Sequence, residues 1–188
     1  MTDWRVVVPI KQGGDGKSRL GSLMGEGARS DLSQRMAAHV LEIVTGHFDL
    51  SLITIVSPHR PETWDGQWMR DQRRGLNPEL EAWRNVLGDK PFLIIHADLP
   101  LLAPDDVRAI IETAAEHGAA LATDRSGQGT NALAIADGRP FTLLFGPDSR
   151  ALHCAQFPDM PVLQREGLMA DLDTPDDASF ICARGFAI

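Results

Sequence analysis

The chain has 188 residues, with 18 Lys and Arg against 26 Asp and Glu, a formal net charge of −8 and a hydrophobic content of 43%. That length suits one domain with a continuous core, and that composition is ordinary for a globular protein, which excludes a disordered chain. The acidic balance excludes a general nucleic-acid binder, whose affinity needs clustered positive charge, but leaves room for one small anionic ligand held by a few local cations.

Apolar runs alternate with helical patterns along the chain. Trp4 to Ile10 (WRVVVPI) reads as a buried strand rich in β-branched residues. Gly25 to Thr45 holds a helix, since Leu32, Met36, His39, Val40 and Ile43 recur at three- and four-residue spacing. Ser51 to Val56 is a second strand. Ser57 to Gly75 is polar, carries two prolines and two tryptophans, and is expected to be irregular at its centre. Asn77 to Leu87 reads as a helix and Pro91 to His96 as a core strand. Pro104 opens a helix reaching about His117, and Ala119–Thr123 and Asn131–Ala136 are strands on either side of a glycine-rich turn, Ser126 to Gly129. Asp148–Gln156 is a short helix, Pro161–Arg165 a strand and Pro175–Arg184 a closing helix. Strands separated by helices predict one mostly parallel sheet of six or seven strands with helices on both faces, Trp4–Ile10 being central. Such sheets bind ligands beyond the carboxyl ends of their strands, where the chain order reverses.

The apolar run before Lys11 is too short for the core of a signal peptide, and no stretch approaches a membrane span, so a cytoplasmic protein without a membrane partner is expected. Cys154 and Cys182 are too few for a disulfide framework and are expected to be reduced. No feature of the sequence sets an oligomeric state.

Four loops could carry chemistry. The first, Lys11 to Leu20 (KQGGDGKSRL), is not a P-loop, because that motif needs glycine where Lys11 stands, and it lacks the Rossmann glycine pattern. Its open amides with Lys11, Lys17 and Arg19 can surround a polyphosphate, and a flexible solvated turn is an equal reading. The second places Asp98 directly after a very apolar strand. A carboxylate there is costly to desolvate unless a cation or donors compensate it, and Asp98 lies too far upstream to cap the helix at Pro104. Metal ligation is the favoured role.

The third is Met169 to Asp177. Thr174 and Pro175 form a normal helix start, and Asp176 and Asp177 suit the positive end of its dipole. Asp171 and Asp173 are two apart in an extended segment, so both carboxylates share one face. Hard oxygen ligands of this kind suit Mg²⁺, particularly when substrate phosphates complete the shell. The fourth joins Gly129, Thr130 and Asn131 to Phe145–Ser149, where Gly146 and Ser149 stand at a helix start suited to an anion. Ser149 as a plain N-cap is the competing reading. The six histidines show no zinc spacing; His96 is expected in the strand core, His39 on an apolar helix face, and His153 one helical turn past the anion candidate. The tryptophans at 64, 68 and 83 read as packing, and no Ser–His–Asp or Cys–His set is suggested.

Together these loops resemble a guanylyltransferase family that activates a phosphorylated three-carbon acid for biosynthesis of the deazaflavin coenzyme (factor 420). The matching pieces are Val8–Lys11 with Lys17–Leu20, Gly75–Asn77, Ala97–Leu102, Asp124–Arg125, Gly129–Leu133, Phe145–Ser149 with His153, and Asp171–Asp177. Their order and spacing agree over nearly the whole chain.

The resemblance implies an α/β fold, a three-layer sandwich around a Rossmann-like, mostly parallel sheet of the nucleotide-diphospho-sugar transferase type, with residues 1–188 forming a single nucleotidyltransferase domain. It implies that Asp98, Asp171 and Asp173 hold Mg²⁺, and that Lys17 and Asp98 are catalytic. Lys11, Lys17, Arg19 and Asn77 would bind GTP, and Thr130, Gly146 and Ser149 the acceptor acid. The expected reaction is attack by the acceptor's phosphate on the α-phosphorus of GTP with loss of pyrophosphate. Nothing in the sequence chooses among 2-phospho-L-lactate, phosphoenolpyruvate and 3-phosphoglycerate. A molybdenum-cofactor nucleotidyltransferase and a non-catalytic nucleotide-binding protein on the same fold are the alternatives. Ala103 departs from the family, which usually has a capping Ser or Thr there, and Pro58–Arg74 is idiosyncratic.

Overall fold

The computed structural model describes residues 4–11, 20, 21 and 23–188. Strand β1 (Arg5–Pro9) shows why a sheet forms: Val6 and Val8 project to one face, Val7 to the other, and all three are fully buried. A run with no polar side needs cover on both faces, as parallel sheets have. β1 pairs in parallel with β2 (Ile53–Ser57) through Val7↔Thr54, and with β4 (Phe92–Ile95) through Val6↔Leu93. The other strands are β3 (Gln67–Arg70), β5 (Ala119–Thr123), β6 (Thr130–Ile135) and β7 (Val162–Leu163). Their order across the sheet is β3-β2-β1-β4-β6-β5-β7, so the chain reverses direction of travel between β1 and β4.

Helices α1 (Glu26–Thr45) and α3 (Pro104–His117) cover one face, where Val40, Val44, Val107 and Ile110 meet Val6, Ile55 and Leu93. The opposite face is covered by α2 (Leu76–Leu87), through Leu80 and Trp83, and by Phe141, Leu143 and Phe145. The expected three-layer α/β sandwich is therefore present. Among the described residues no helix is long and apolar enough to cross a membrane.

Three features differ from the reading of the sequence. The segment taken as irregular contains β3, an edge strand parallel to β2 with Ile55↔Trp68 in register. Its side chains are exposed or half-buried, so it carries no apolar run to signal a strand. Next, β6 runs antiparallel to both β4 and β5. The short connection through residues 124–129 permits a hairpin and is too short for a parallel crossover. Last, the strand expected over Pro161–Arg165 is only the two-residue β7, followed by the short helix α5 (Glu166–Met169).

Because β6 runs backwards, the chain leaves it at the edge away from the other strands' carboxyl ends and must return. Residues 141–145 make that return extended, alternating buried Phe141, Leu143 and Phe145 with more exposed neighbours. They belong to no sheet, so side chains satisfy their backbone. Glu81 accepts from Leu143 N–H at 2.9 Å, Gln156 brackets Thr142 at 2.7 and 2.9 Å, and Arg84 donates to the Phe141 carbonyl.

Helix α3 starts at Ala103, whose extended backbone (φ −119°, ψ 158°) is that of an N-cap. Asp106 accepts from Ala103 N–H at 3.0 Å, which is half of a capping box, but alanine offers no oxygen in return. Ala103 is exposed, so Ala103→Ser is expected to stabilise the protein by about 1 kcal/mol and raise its melting temperature by about 2–4 °C. An unchanged or lower midpoint in thermal unfolding would contradict this.

Candidate active site

The switch between β1 and β4 opens an edge at which several predicted residues gather. Lys11 follows β1, exposed at the strand's carboxyl end. Asp98, half-buried, comes three residues after β4 ends at Ile95. The reversed β6 brings its first residues, Thr130 and Asn131, to this same edge: Ala132 pairs with Ile95, and His96 N–H donates to the Asn131 carbonyl at 2.9 Å.

The Asp171–Asp173 segment joins them by a main-chain bond, Leu172 N–H to the Asp98 carbonyl at 3.2 Å. Leu172 is fully buried with Leu20, Leu32, Met36 and Ile181, while Asp171 and Asp173 on either side are half-exposed. The alternation expected of an extended D-x-D segment is thus present. Asn131, itself buried, donates to the Leu168 carbonyl at 3.0 Å and to Asp171 Oδ1 at 3.2 Å, tying β6 to the acidic segment. Asp177 has the helix-start role expected of it in α6 (Pro175–Cys182): its Oδ2 accepts from Thr174 N–H at 2.9 Å, and its own N–H donates to Thr174 Oγ1 at 3.2 Å. Its other oxygen accepts from Arg125 at 2.5 Å.

Could these residues hold a metal? Among the described residues no group of three or more His, Cys, Asp or Glu side chains forms a ligand set. Mg²⁺ needs no such cage, since it is commonly held by one or two carboxylates with water and substrate phosphates completing the octahedron. Partly buried acidic residues on two segments joined by a backbone bond at a ligand-binding edge fit that mode.

The turn before β6, expected on the acceptor side, is built by Asp124. Its Oδ1 accepts from the amides of Gln128 and Gly129 at 2.8 and 2.9 Å, and its Oδ2 from Ser126 Oγ at 2.6 Å. Burial acts to raise this carboxyl, but those donors and the Thr123 hydroxyl together hold it below the usual carboxylate range. A side chain at 129 would press on the carboxylate, the Cβ lying 3.1 Å from Asp124 Cγ. Arg150, at the start of α4 (Ser149–Gln156), fastens the turn by donating to the Gly127 carbonyl at 2.9 Å.

Three predicted binding residues have internal partners: Thr130 is 3% exposed and its hydroxyl lies 3.1 Å from His153 Nδ1. The amide of Asn77, expected on the nucleotide, forms a two-point clasp with the Phe145 backbone: Nδ2 donates to the carbonyl at 2.9 Å and Oδ1 accepts from the N–H at 2.8 Å. Asn77 therefore fixes the height of Gly146. Ser149 is not the N-cap of α4; that position is Asp148, in the left-handed region at φ 55°. The Ser149 N–H, expected to face the ligand, donates to the Gly146 carbonyl at 3.2 Å, and its residue is buried. Gly146 itself is exposed at φ 131°, with no atom within 4 Å of where a Cβ would sit. Lys17 and Arg19 lie outside the described residues.

Sequence reasoning missed Glu79 and understated His153. Glu79, 2% exposed, accepts from Gln72 N–H, Arg74 N–H and the Arg74 guanidinium at 2.8–3.2 Å, shaping the turn before Gly75. The Arg74 guanidinium holds its carboxyl below the ordinary range. His153 is fully buried against Phe141 and Phe145, with ring centroids 5.5 and 5.0 Å away. Burial, helped by His96, pushes its pKa down to about 4.

A histidine titrating near 6.5 unfolded and about 4 folded takes up its proton more readily in the unfolded chain. Its contribution is therefore complete above pH 6.5 and is lost as pH falls toward 4, on the order of 3 kcal/mol in all. Urea unfolding of wild type and His153→Asn across that window should show the difference between them shrinking as the pH falls. Parallel curves would rule the coupling out.

The family described as "Guanylyl transferase CofC like" matches residues 4–183. The chain belongs to that family. Among similar guanylyltransferases, a phosphoenolpyruvate guanylyltransferase of Sphaerobacter thermophilus is 33% identical, covering 91% of this chain and 88% of its own. One of the same name from Chloroflexus aggregans is 30% identical over 95% and 96% of the two chains. A 2-phospho-L-lactate guanylyltransferase of Methanopyrus kandleri is 31% identical over 92% and 88%. Among solved structures, a chain of Desulfovibrio desulfuricans G20 provisionally named a nucleotide-diphospho-sugar transferase superposes with a TM-score of 0.74 at 16% identity, over 96% of this chain and 87% of that one. A nucleotidyl transferase of Methanothermobacter superposes at 0.61 with 15% identity, over 96% of each chain. These likenesses establish that the chain has the nucleotide-diphospho-sugar transferase type of fold.

Proposed function

We propose that this protein joins GMP from GTP to the phosphate of a phosphorylated three-carbon acid and releases pyrophosphate, as a cytoplasmic step of deazaflavin coenzyme biosynthesis. The observation that carries the reading is the main-chain bond from Leu172 to Asp98, which brings the acidic segment to the edge where β6 and the Gly146 turn meet. Asp98, Asp171 and Asp173 would hold Mg²⁺, with substrate phosphates completing its shell. The ion, when bound, supplies charge neutralisation and Lewis-acid polarisation at the phosphates.

In the reaction an acceptor phosphate oxygen forms a bond to the α-phosphorus of GTP, and the bond from that phosphorus to the bridging oxygen of pyrophosphate breaks. A phosphate is already ionised near pH 7, so no general base is required of the protein. What remains for the chain is alignment and charge balance. Lys11, with Lys17 and Arg19, would neutralise the triphosphate. Thr130 and the turn at Gly146 would seat the acid. Asn77 acts behind that turn rather than on the nucleotide.

The test is a panel of 2-phospho-L-lactate, phosphoenolpyruvate and 3-phosphoglycerate with GTP and Mg²⁺, read by pyrophosphate release and by the mass of the phosphoanhydride product. Pyrophosphate release only with an acid present is the expected result. Product with a molybdenum cofactor and none with any acid would replace this reading.

A further inference from the structure

Behind the proposed acceptor turn lies a histidine whose two nitrogens have opposite tasks. His153 Nε2 stands 2.9 Å from Leu144 N and accepts its N–H, so that nitrogen carries no proton. A neutral imidazole then bears its proton on Nδ1, which stands 3.1 Å from Thr130 Oγ1. The Nδ1–H donates to the hydroxyl oxygen, and the hydroxyl's own proton must point elsewhere.

That direction matters for an anionic ligand. With the opposite tautomer, Leu144 N–H would meet another N–H, and Thr130 would spend its proton on the ring. Only oxygen lone pairs would then face a phosphate or carboxylate oxygen. Leu144 adjoins Phe145, which Asn77 clasps, so one imidazole braces both the hydroxyl and the return segment carrying Gly146. Phe141 and Phe145 hold the ring's plane at 34° and 74° to their own.

We propose that His153, as its neutral Nδ1–H tautomer, is a positioning residue that turns the Thr130 hydroxyl proton toward the phosphorylated acid and fixes the level of the acceptor turn. This rests on the reading of Thr130 and Gly146 as the acceptor side. His153 touches neither substrate in this arrangement; it acts through Thr130 and Leu144.

The test compares wild type, His153→Gln and His153→Asn in steady-state kinetics with GTP and phosphoenolpyruvate, each also in a Thr130→Val background. Glutamine can reach the position of Nε2 and accept from Leu144 but leaves Thr130 unbraced, so His153→Gln should raise the acceptor KM about tenfold and the GTP KM less than about twofold. Asparagine keeps an amide N–H near the position of Nδ1, and its acceptor KM should rise less. In the Thr130→Val background His153→Gln should raise the acceptor KM no further, because glutamine keeps the bond from Leu144 and no hydroxyl is left to orient. Equal rises for both substrates, an unchanged acceptor KM, or a full further rise from His153→Gln in the Thr130→Val background would overturn the proposal. Ring ¹⁵N shifts of the wild-type protein at neutral pH decide the matter even where a variant does not fold. A protonated Nδ1 beside an unprotonated Nε2 supports the proposal, and the reverse pattern or a charged ring overturns it. No turnover of any acid by wild type would overturn the functional reading, and the acceptor assignment with it; normal turnover with an unaffected His153→Gln would sink the positioning role alone.

Discussion

Asp98→Asn is expected to lower guanylyl transfer by about 10²–10³-fold or more while leaving the melting temperature near the wild-type value. The two effects separate because Asp98 meets the acidic segment through its carbonyl oxygen, which accepts from Leu172 N–H and is untouched by the substitution. On the proposed reading the substitution removes one negative charge and one hard anionic ligand. On that reading an amide at 98 would weaken the hold on a dication. Activity should be measured across Mg²⁺ concentrations, with unfolding followed in EDTA. Wild-type turnover by a folded Asp98→Asn protein would remove Asp98 from the metal site.

Gly146→Val should raise the acceptor KM by roughly tenfold to a hundredfold and leave the GTP KM much less affected. At φ 131° a branched side chain is strained, at a cost of about 1–3 kcal/mol, which the turn must relieve by moving. The space that a Cβ would enter is open toward solvent, so the valine would also occupy ground a ligand needs. Gly146→Ala separates the contributions, because it adds the backbone strain with little bulk. An equal loss for both substrates would assign the turn to the nucleotide and favour a molybdenum-cofactor type of acceptor.

The strands most legible in the sequence are those buried on both faces, since a run such as Val6-Val7-Val8 has few other ways to satisfy its apolar surface. Asp98 and the D-x-D segment are legible for a related reason: charge placed directly against such surface needs a purpose. The edge strand β3 is hidden because its side chains meet water and resemble a loop's. The reversal of β6 is implicit in the short glycine-rich turn before it, but alternation of elements alone does not report strand direction. Asn77 and Ser149 stand in the elements expected of them, with internal partners that the sequence does not disclose. An amide that can recognise a base can equally clasp a backbone, and spacing does not reveal that Phe145 lies beside Asn77. Glu79 gives no signal beyond that of an ordinary acidic residue in a helix's first turn.

The extended return through residues 141–145 makes the molecule behave like a measured cord strung from floor to rim. Its knots are Phe141, Leu143 and Phe145, pressed into one face of the sheet, and its stays are Glu81, Gln156, His153 and Asn77. An extended chain advances about 3.3 Å per residue, so removing one residue below Phe145 would lower the rim by about that distance and exchange every buried knot for a wet one. Trimming Phe141, far down the cord, would slacken it and let Gly146 drift. Acceptor selectivity could therefore change through alterations in the basement of the protein, with every residue at the rim left as it was.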